Sequence, residues 1–236
     1  MLGGNSGIGL AAAKAFRDEG ARVAITGRNE ATLAQAAADS GMLAIRSDMA
    51  SAAESRSALA RIAAELGGID VLFVNAGIGG FAAVPEVTEA FWDGMHAVNL
   101  RGAFFAMQAA LPHLRDGGSI VITGSIGSLL ALPGNAAYAA AKAGLRAVAR
   151  ILAVELLPRR IRVNMVSPGP TETEIFKRGA GALEIERLRT TMADAVPMKR
   201  MGEAAEAARA VLFLACNEAS FITGVDLYVD GGCVEL

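Results

Sequence analysis

Cysteine is scarce in this chain. Cys216 and Cys233 are the only two, and neither sits in a C-x-x-C or Cys/His cluster, so neither a disulfide framework nor a structural zinc is expected. A reducing, cytoplasmic setting fits that usage. Histidine is as rare: His96 and His113 stand on one helical pattern without clustered carboxylates or thiols. They read as structural or surface residues, and no metal site is expected. No excess of either charge is present, since 22 Lys and Arg against 24 Asp and Glu leave a net −2 without a basic block. Nucleic acid or an anionic membrane would find no electrostatic footprint here, which leaves a small molecule as the expected partner. No apolar run approaches the ~18 residues of a membrane span, and the chain opens on glycines rather than on a charged n-region and apolar core. Repeats, low-complexity tracts and linkers are missing too, so the 236 residues, 53% of them hydrophobic, read as one domain over 1–236.

What is present is an alternation. Short β-branched runs at Ala21–Ile25, Met42–Arg46, Val71–Val74, Ser119–Thr123, Arg162–Val166 and Asp226–Val229 alternate with alanine-rich helical patterns. The helices are predicted at Ile8–Glu19, Glu30–Asp39, Ala52–Leu66, Glu89–Leu114, Ala137–Leu157 and Glu203–Cys216. That order predicts an α/β fold, a Rossmann-like doubly wound parallel sheet with helices on both faces. Ser51 with Glu54 reads as a capping box, and Gly20, Gly41 and Gly67 stand where helices stop. The long stretch 167–201, with a short helical pattern at Ala182–Met192, reads as a substrate-binding loop or lid.

Gly3-Gly4-Asn5-Ser6-Gly7-Ile8-Gly9 runs straight into the first helix. Its glycines permit a tight turn and close backbone approach, and a helix N-terminus offers free N–H groups to a pyrophosphate. Such a loop normally follows a strand, yet only Met1 and Leu2 precede it. The first strand is therefore largely missing. A doubly wound sheet without it would carry a gap of about 10 Å, so the natural chain is expected to start upstream by an apolar segment of roughly 5 to 7 residues. At the end of the second strand, Ile25-Thr26-Gly27-Arg28 carries no acid for a ribose 2′-hydroxyl. Arg28 suits a 2′-phosphate and Asn29 can add a hydrogen bond, so NADP(H) is favoured over NAD(H). Asp48 either reaches an adenine amino group or makes a turn before Ser51, and Asn75-Ala76-Gly77 either bears a ring system or is a plain tight turn.

The chemistry concentrates in Ser119–Lys142. Ser125 ends a buried strand, and Tyr138 and Lys142 are one helical turn apart on one face. A hydroxyl, a phenol and an amine at the lip of an open α/β sheet make a proton-transfer site. A free tyrosine of pKa near 10 is about 0.1% ionised at pH 7. Lowering it to 7 needs roughly 4 kcal/mol, which one ammonium ~4 Å away is expected to supply through Lys142.

These residues together resemble the short, single-domain branch of the short-chain dehydrogenase/reductases. The likeness rests on the glycine loop, Asp48, Asn75-Ala76-Gly77, Val98-Asn99-Leu100, Ser125, Tyr138-x-x-x-Lys142, Ser167-Pro168-Gly169 with Thr173, and the closing Val229-Asp230-Gly231-Gly232. Leu2 in place of a leading Thr and Val74 in place of a first Asn are its departures. The resemblance implies a sheet of about seven strands and a catalytic set of Asn99, Ser125, Tyr138 and Lys142. Tyr138 would be the acid/base, Ser125 a donor to the substrate oxygen, and Asn99 the holder of a relay water. It implies a cofactor site of Gly3, Asn5, Ser6, Gly7, Ile8, Gly9, Arg28, Asn29, Asp48, Met49, Asn75, Ala76, Gly77, Tyr138, Lys142, Pro168, Gly169, Thr171 and Thr173, with Thr173 on the carboxamide and Lys142 on the ribose. It further implies a homo-oligomer, dimer or tetramer, built on the helices 89–114 and 137–157. The function so implied is hydride transfer between NADP(H) and a carbonyl or secondary alcohol, over an apolar wall of Ile126, Leu129, Leu130 and Ile78–Phe81. The alternatives are a 3-oxoacyl thioester reductase and a non-catalytic NADP(H)-binding scaffold or redox sensor.

Overall fold

The computed structural model describes residues 1–173 and 182–236. Its strands are β1 (Ala24–Gly27), β2 (Leu43–Arg46), β3 (Ile69–Val74), β4 (Leu114–Thr123), β5 (Arg162–Pro168), β6 (Thr171–Glu172), β7 (Gly202–Glu203) and β8 (Asp226–Val229). The helices are α1 (Gly7–Asp18), α2 (Glu30–Ser40), α3 (Ala52–Leu66), α4 (Glu89–His96), α5 (Ala103–Ala110), α6 (Ala136–Glu155), α7 (Ala182–Ala195) and α8 (Ala204–Ala215). β1 pairs with β2, and β3, β4, β5 and β8 pair in that order, every ladder parallel.

Parallel strands are apolar on both sides because helices cover both faces, and the central strands divide their residues accordingly. Leu72 and Val74 of β3, with Ile120 and Ile122 of β4, join a core with Leu59 and Ile62 of α3, Met107 of α5 and Leu145 of α6. Phe73, Val121 and Val166, the alternate residues, join Phe16 of α1 with Val211 and Leu214 of α8. Ile25 packs with Ala13 of α1 and Leu33 of α2. The C-terminal ends of these strands therefore open on one edge, with the start of α1 facing it.

Met1 and Leu2 occupy the slot between β1 and β3. Leu2 bridges both Thr26 and Val74 in parallel; its N–H donates to Phe73 O at 2.8 Å and its carbonyl accepts from Asn75 N and Ala76 N. Thr26 N donates to Met1 O at 3.0 Å. The sheet is thus continuous at its ligand-facing edge, where Leu2 meets the neighbouring strand at Thr26. β1 accordingly runs 24–27 rather than the expected 21–25.

Met1 N donates to Ala24 O at 2.8 Å.

Two expected elements differ. The single helix 89–114 is instead α4, a π-helical turn over Ala97–Gly102, and α5. Its C-terminal end is taken by Arg159, which donates to the carbonyls of Leu111 and Leu114, so Leu114 leaves the helix and starts β4 opposite Ile69. At α3, Ser51 Oγ accepts from Glu54 N at 3.2 Å, but the Glu54 carboxylate turns to Asp48 N and to Arg46, so the reciprocal half of the capping box goes elsewhere. The expected lid is described at β6, α7 and β7; residues 174–181 of it lie outside the described residues. No helix among the described residues is long and apolar enough to cross a membrane.

Candidate active site

Five helices start near this edge, and two of them, α1 and α6, lack both a side-chain cap and a first-turn acid. α2, α3 and α4 each have a side-chain cap, from Asn29, Ser51 and Thr88, and an acid in the first turn. α1 has neither: Ser6 stands at its N-cap without capping, and no acid follows. Its first-turn N–H groups and positive dipole end stay available to an anion. Gly9 lets the loop fold tightly over that helix, for a Cβ there would lie 2.0 Å from Gly3 O and 2.6 Å from Asn75 Nδ2. That set of free donors, with no acid in the first turn of α1, fits the pyrophosphate of a dinucleotide.

Around the loop, Asn5 packs on Gly27 and donates to Thr32 Oγ1 at 2.7 Å. Asn29 Oδ1 accepts from Thr32 N at 3.0 Å and so caps α2. Arg28 is exposed at the tip of β1 and has no carboxylate partner among the described residues. Beside it, Arg46 sits opposite Gly27 in register and pairs with Glu54 at 2.7 Å and Glu30 at 3.7 Å. Asp48 Oδ1 accepts from Ala50 N at 2.9 Å, the turn alternative for that oxygen. Met49 is buried with the core.

Asn75, Ala76 and Gly77 follow β3. Asn75 Nδ2 donates to Gly3 O at 3.0 Å, and its Oδ1 accepts from Thr123 Oγ1 at 2.9 Å. Asn99 lies in the π-helical turn, fully buried. Its Oδ1 accepts from Ile78 N at 3.0 Å, while Nδ2 donates to Ile78 O at 2.9 Å and to Met95 Sδ. The side chain therefore pins the 75–78 loop by both backbone groups of one residue, a use the expected water relay did not include. A Cβ on Gly77 would lie 2.9 Å from Asn99 Oδ1 and 3.8 Å from Lys142 Nζ, so the three meet at one place.

Ser125, Tyr138 and Lys142 converge as spacing predicts, but their electrostatics run the other way. Lys142 is buried and donates to Thr123 O at 2.8 Å, with Nζ 5.9 Å from the Tyr138 ring centroid. Burial lowers its pKa to about 8. Burial raises the Tyr138 phenol above its ordinary value, and a hydrogen bond with Ser125 opposes that rise. The expected lowering of the phenol by the lysine charge is thus corrected: desolvation dominates in this protein without ligand, and the ammonium is aimed at a backbone carbonyl. At neutral pH the phenol carries its proton.

Pro168 and Gly169 continue β5, with Gly169 N on Val229 O at 3.0 Å. Thr171 Oγ1 donates to Gly169 O at 2.9 Å, and Thr173 packs 3.3 Å from the position a Gly7 Cβ would take, against the start of α1. In the expected apolar wall, Ile126 is buried and belongs to the interior, whereas Phe81 and Leu129 are exposed, as is Leu132, which was not anticipated. Arg46, Thr32, Thr123 and Asn135 also went unnoticed. Their partners are 8 to 48 residues away, beyond any local pattern, although Asn135 three residues before Tyr138 was open to question as a helix cap. His96 stacks on Trp92 with centroids 4.4 Å apart, away from any acid/base role.

Comparison with known proteins agrees with this architecture. The family profile described as Enoyl-(Acyl carrier protein) reductase matches residues 3–234. The 2,5-dichloro-2,5-cyclohexadiene-1,4-diol dehydrogenase LinX of Sphingobium indicum is 37% identical over 242 residues, spanning 98% of this chain and 94% of its own. The 2-(S)-hydroxypropyl-CoM dehydrogenase 3 of Xanthobacter autotrophicus is 36% identical over 240 residues, with coverages of 98% and 94%. Among solved structures, the short-chain dehydrogenase/reductase from Serratia marcescens superposes with a TM-score of 0.92 at 34% identity, covering 99% of this chain and 96% of that one. With the parallel sheet, the uncapped helix behind a glycine loop and the Ser125, Tyr138 and Lys142 cluster, these likenesses make the chain a member of the short-chain dehydrogenase/reductase family of oxidoreductases.

Proposed function

We propose that this protein reduces a carbonyl compound to a secondary alcohol with NADPH, and runs the reverse reaction with NADP⁺. The observation that carries the proposal is the convergence of Ser125 and the Tyr138 phenol around Gly127, beside the buried Lys142. Bound NADPH supplies the hydride. The chain manages the oxygen that is left: Ser125 donates to the substrate oxygen, and Tyr138 delivers the proton as negative charge develops there. Lys142, held on Thr123 O, offsets the charge left on the phenol and would hold the ribose of the cofactor. Asn99 keeps Ile78 and Gly77 clear of that space by fixing their backbone. Thr173, beside Gly7, would hold the carboxamide end of the same cofactor.

Arg28 supports the 2′-phosphate form of the cofactor, because a free guanidinium beside an anion-accepting helix start suits a dianion. Asn29 contributes less than expected, its Oδ1 being engaged in capping α2. Replacing Arg28 by Asp should raise KM for NADPH at least 30-fold and bring NADH to comparable efficiency; initial rates with both cofactors decide it, and an unchanged preference would overturn the NADP(H) assignment. Exposed Phe81, Leu129 and Leu132 favour a neutral, apolar carbonyl substrate, and the two named dehydrogenase relatives support a small hydroxylated product. Ile151 and Val154 lie exposed along α6, and Leu157 is exposed just beyond its end, the surface we assign to a homo-oligomer contact. The test of the whole proposal is NADPH oxidation against a panel of ketones and aldehydes, where tight binding without turnover on any of them would favour a sensor.

A further inference from the structure

Ser125 donates best to the substrate oxygen when its proton is turned outward, and a fixed N–H donor on its own oxygen favours that orientation. A hydroxyl has one O–H and two lone pairs, so what holds Ser125 decides which way it points. The holder is Gly127, whose N–H donates to Ser125 Oγ at 3.1 Å. Gly127 is itself gripped from its other side, where Asn135 Nδ2 donates to Gly127 O at 2.8 Å. Asn135 is buried and does not cap α6 with its side chain, although it stands at the N-cap position. Its backbone is fixed in the helix, accepting from Ala139 N at 2.8 Å and donating to Leu132 O at 3.2 Å. It is also three residues from Tyr138 on the same element.

The packing around Gly127 is as close as the bonding. A Cβ there would lie 3.1 Å from Asn135 Nδ2, 3.2 Å from Ser125 Oγ and 3.5 Å from the Tyr138 ring. One glycine α-carbon therefore stands at the centre of the clamp, the serine and the phenol, where a larger residue would push its neighbours aside by a few tenths of an ångström.

We propose that Asn135 is a positioning residue for proton transfer: by holding the Gly127 carbonyl it locks the Gly127 N–H onto Ser125 Oγ, which turns the Ser125 proton toward Tyr138 and the substrate oxygen. The inference rests on the acid role of Tyr138 proposed above. It adds a residue that touches neither substrate nor cofactor, yet sets the geometry between the loop after β4 and the start of α6. A side-chain amide spent on a loop carbonyl rather than on capping its own helix gives up a local bond for that long-range one.

The chain has two tyrosines, so in a Tyr228→Phe background the Tyr138 phenol carbon gives the only tyrosine signal in ¹³C NMR of protein labelled at that position. Asn135→Ala should move this signal in the same direction as Ser125→Ala and add nothing to it in the double variant. In parallel, kcat should fall about 10-fold with KM for NADPH within twofold, and that fall should vanish when Ser125 is already Ala. A lowered Tm with an unmoved Tyr138 signal would overturn the proposal, as would the same kcat loss in both backgrounds. Asn135→Asp, of equal size but presenting acceptors to the Gly127 carbonyl, should behave like Asn135→Ala and decides the matter if that variant does not fold. If the parent protein turns over no carbonyl compound, the proposed function fails on its own, and the tyrosine signal still tests the clamp.

Discussion

Tyr138→Phe should lower kcat for carbonyl reduction about 1000-fold while leaving NADPH affinity within threefold. The ring and its packing remain, so the substitution removes only the acidic proton and its hydrogen bond with Ser125. A general acid in place is worth about 10² to 10⁴ in rate, and nothing else at this site can take over. Lys142 is committed to Thr123 O, Asn99 to Ile78, and both histidines lie elsewhere. The glycine loop belongs to α1 and the phenol to α6, so binding should survive. Steady-state kinetics and fluorescence titration of NADPH separate the two quantities; a loss of less than tenfold would remove Tyr138 from the acid role.

The second large effect is expected at Gly9. An alanine Cβ would stand 2.0 Å from Gly3 O, a backbone atom that cannot swing away, and 2.6 Å from Asn75 Nδ2. Gly9→Ala must therefore shift the loop off α1 and break the Asn75 bond to Gly3, at a cost of about 2 to 3 kcal/mol in stability. NADPH binding should weaken about 100-fold, because the N–H groups of the first turn no longer converge. Gly94→Ala is the control: it lies within α4 with nothing within 4 Å of its Cβ position, so alanine there should raise the melting temperature slightly. Calorimetry and cofactor titration on both variants would test this, and equal behaviour of the two would contradict the tight-loop account.

The sheet was legible in the chain because strands buried on both faces read as unbroken apolar runs, as Phe73 among Leu72 and Val74 illustrates. The meeting of Tyr138 and Lys142 was legible because one helical turn imposes it, and Ser125 because strand ends face the ligand edge. The direction of their electrostatics was not. Whether a lysine charge lowers a phenol or burial raises it depends on where Nζ points, and Thr123 O, 19 residues away in the chain, settles that. The break in the 89–114 helix escaped for a similar reason. Nothing local in Ala97–Gly102 forbids an α-helix, and the π turn is fixed by Asn99 reaching Ile78, 21 residues back. Arg28 stood out because no acid accompanies it, while Arg46, its neighbour across the sheet, came into view only through the pairing of β1 with β2.

Hydride and proton must both reach the substrate carbonyl if this chain is the reductase proposed here, and isotope transfer tests that most directly. NADPH deuterated at one face of C4, incubated with the protein and a panel of neutral ketones, should deliver its deuterium to the carbinol carbon of at least one product. Mass spectrometry should find that label from one face only, and none from Tyr138→Phe over the same time. Tight NADPH binding with no deuterium in any alcohol, or equal transfer by Tyr138→Phe, would contradict the account.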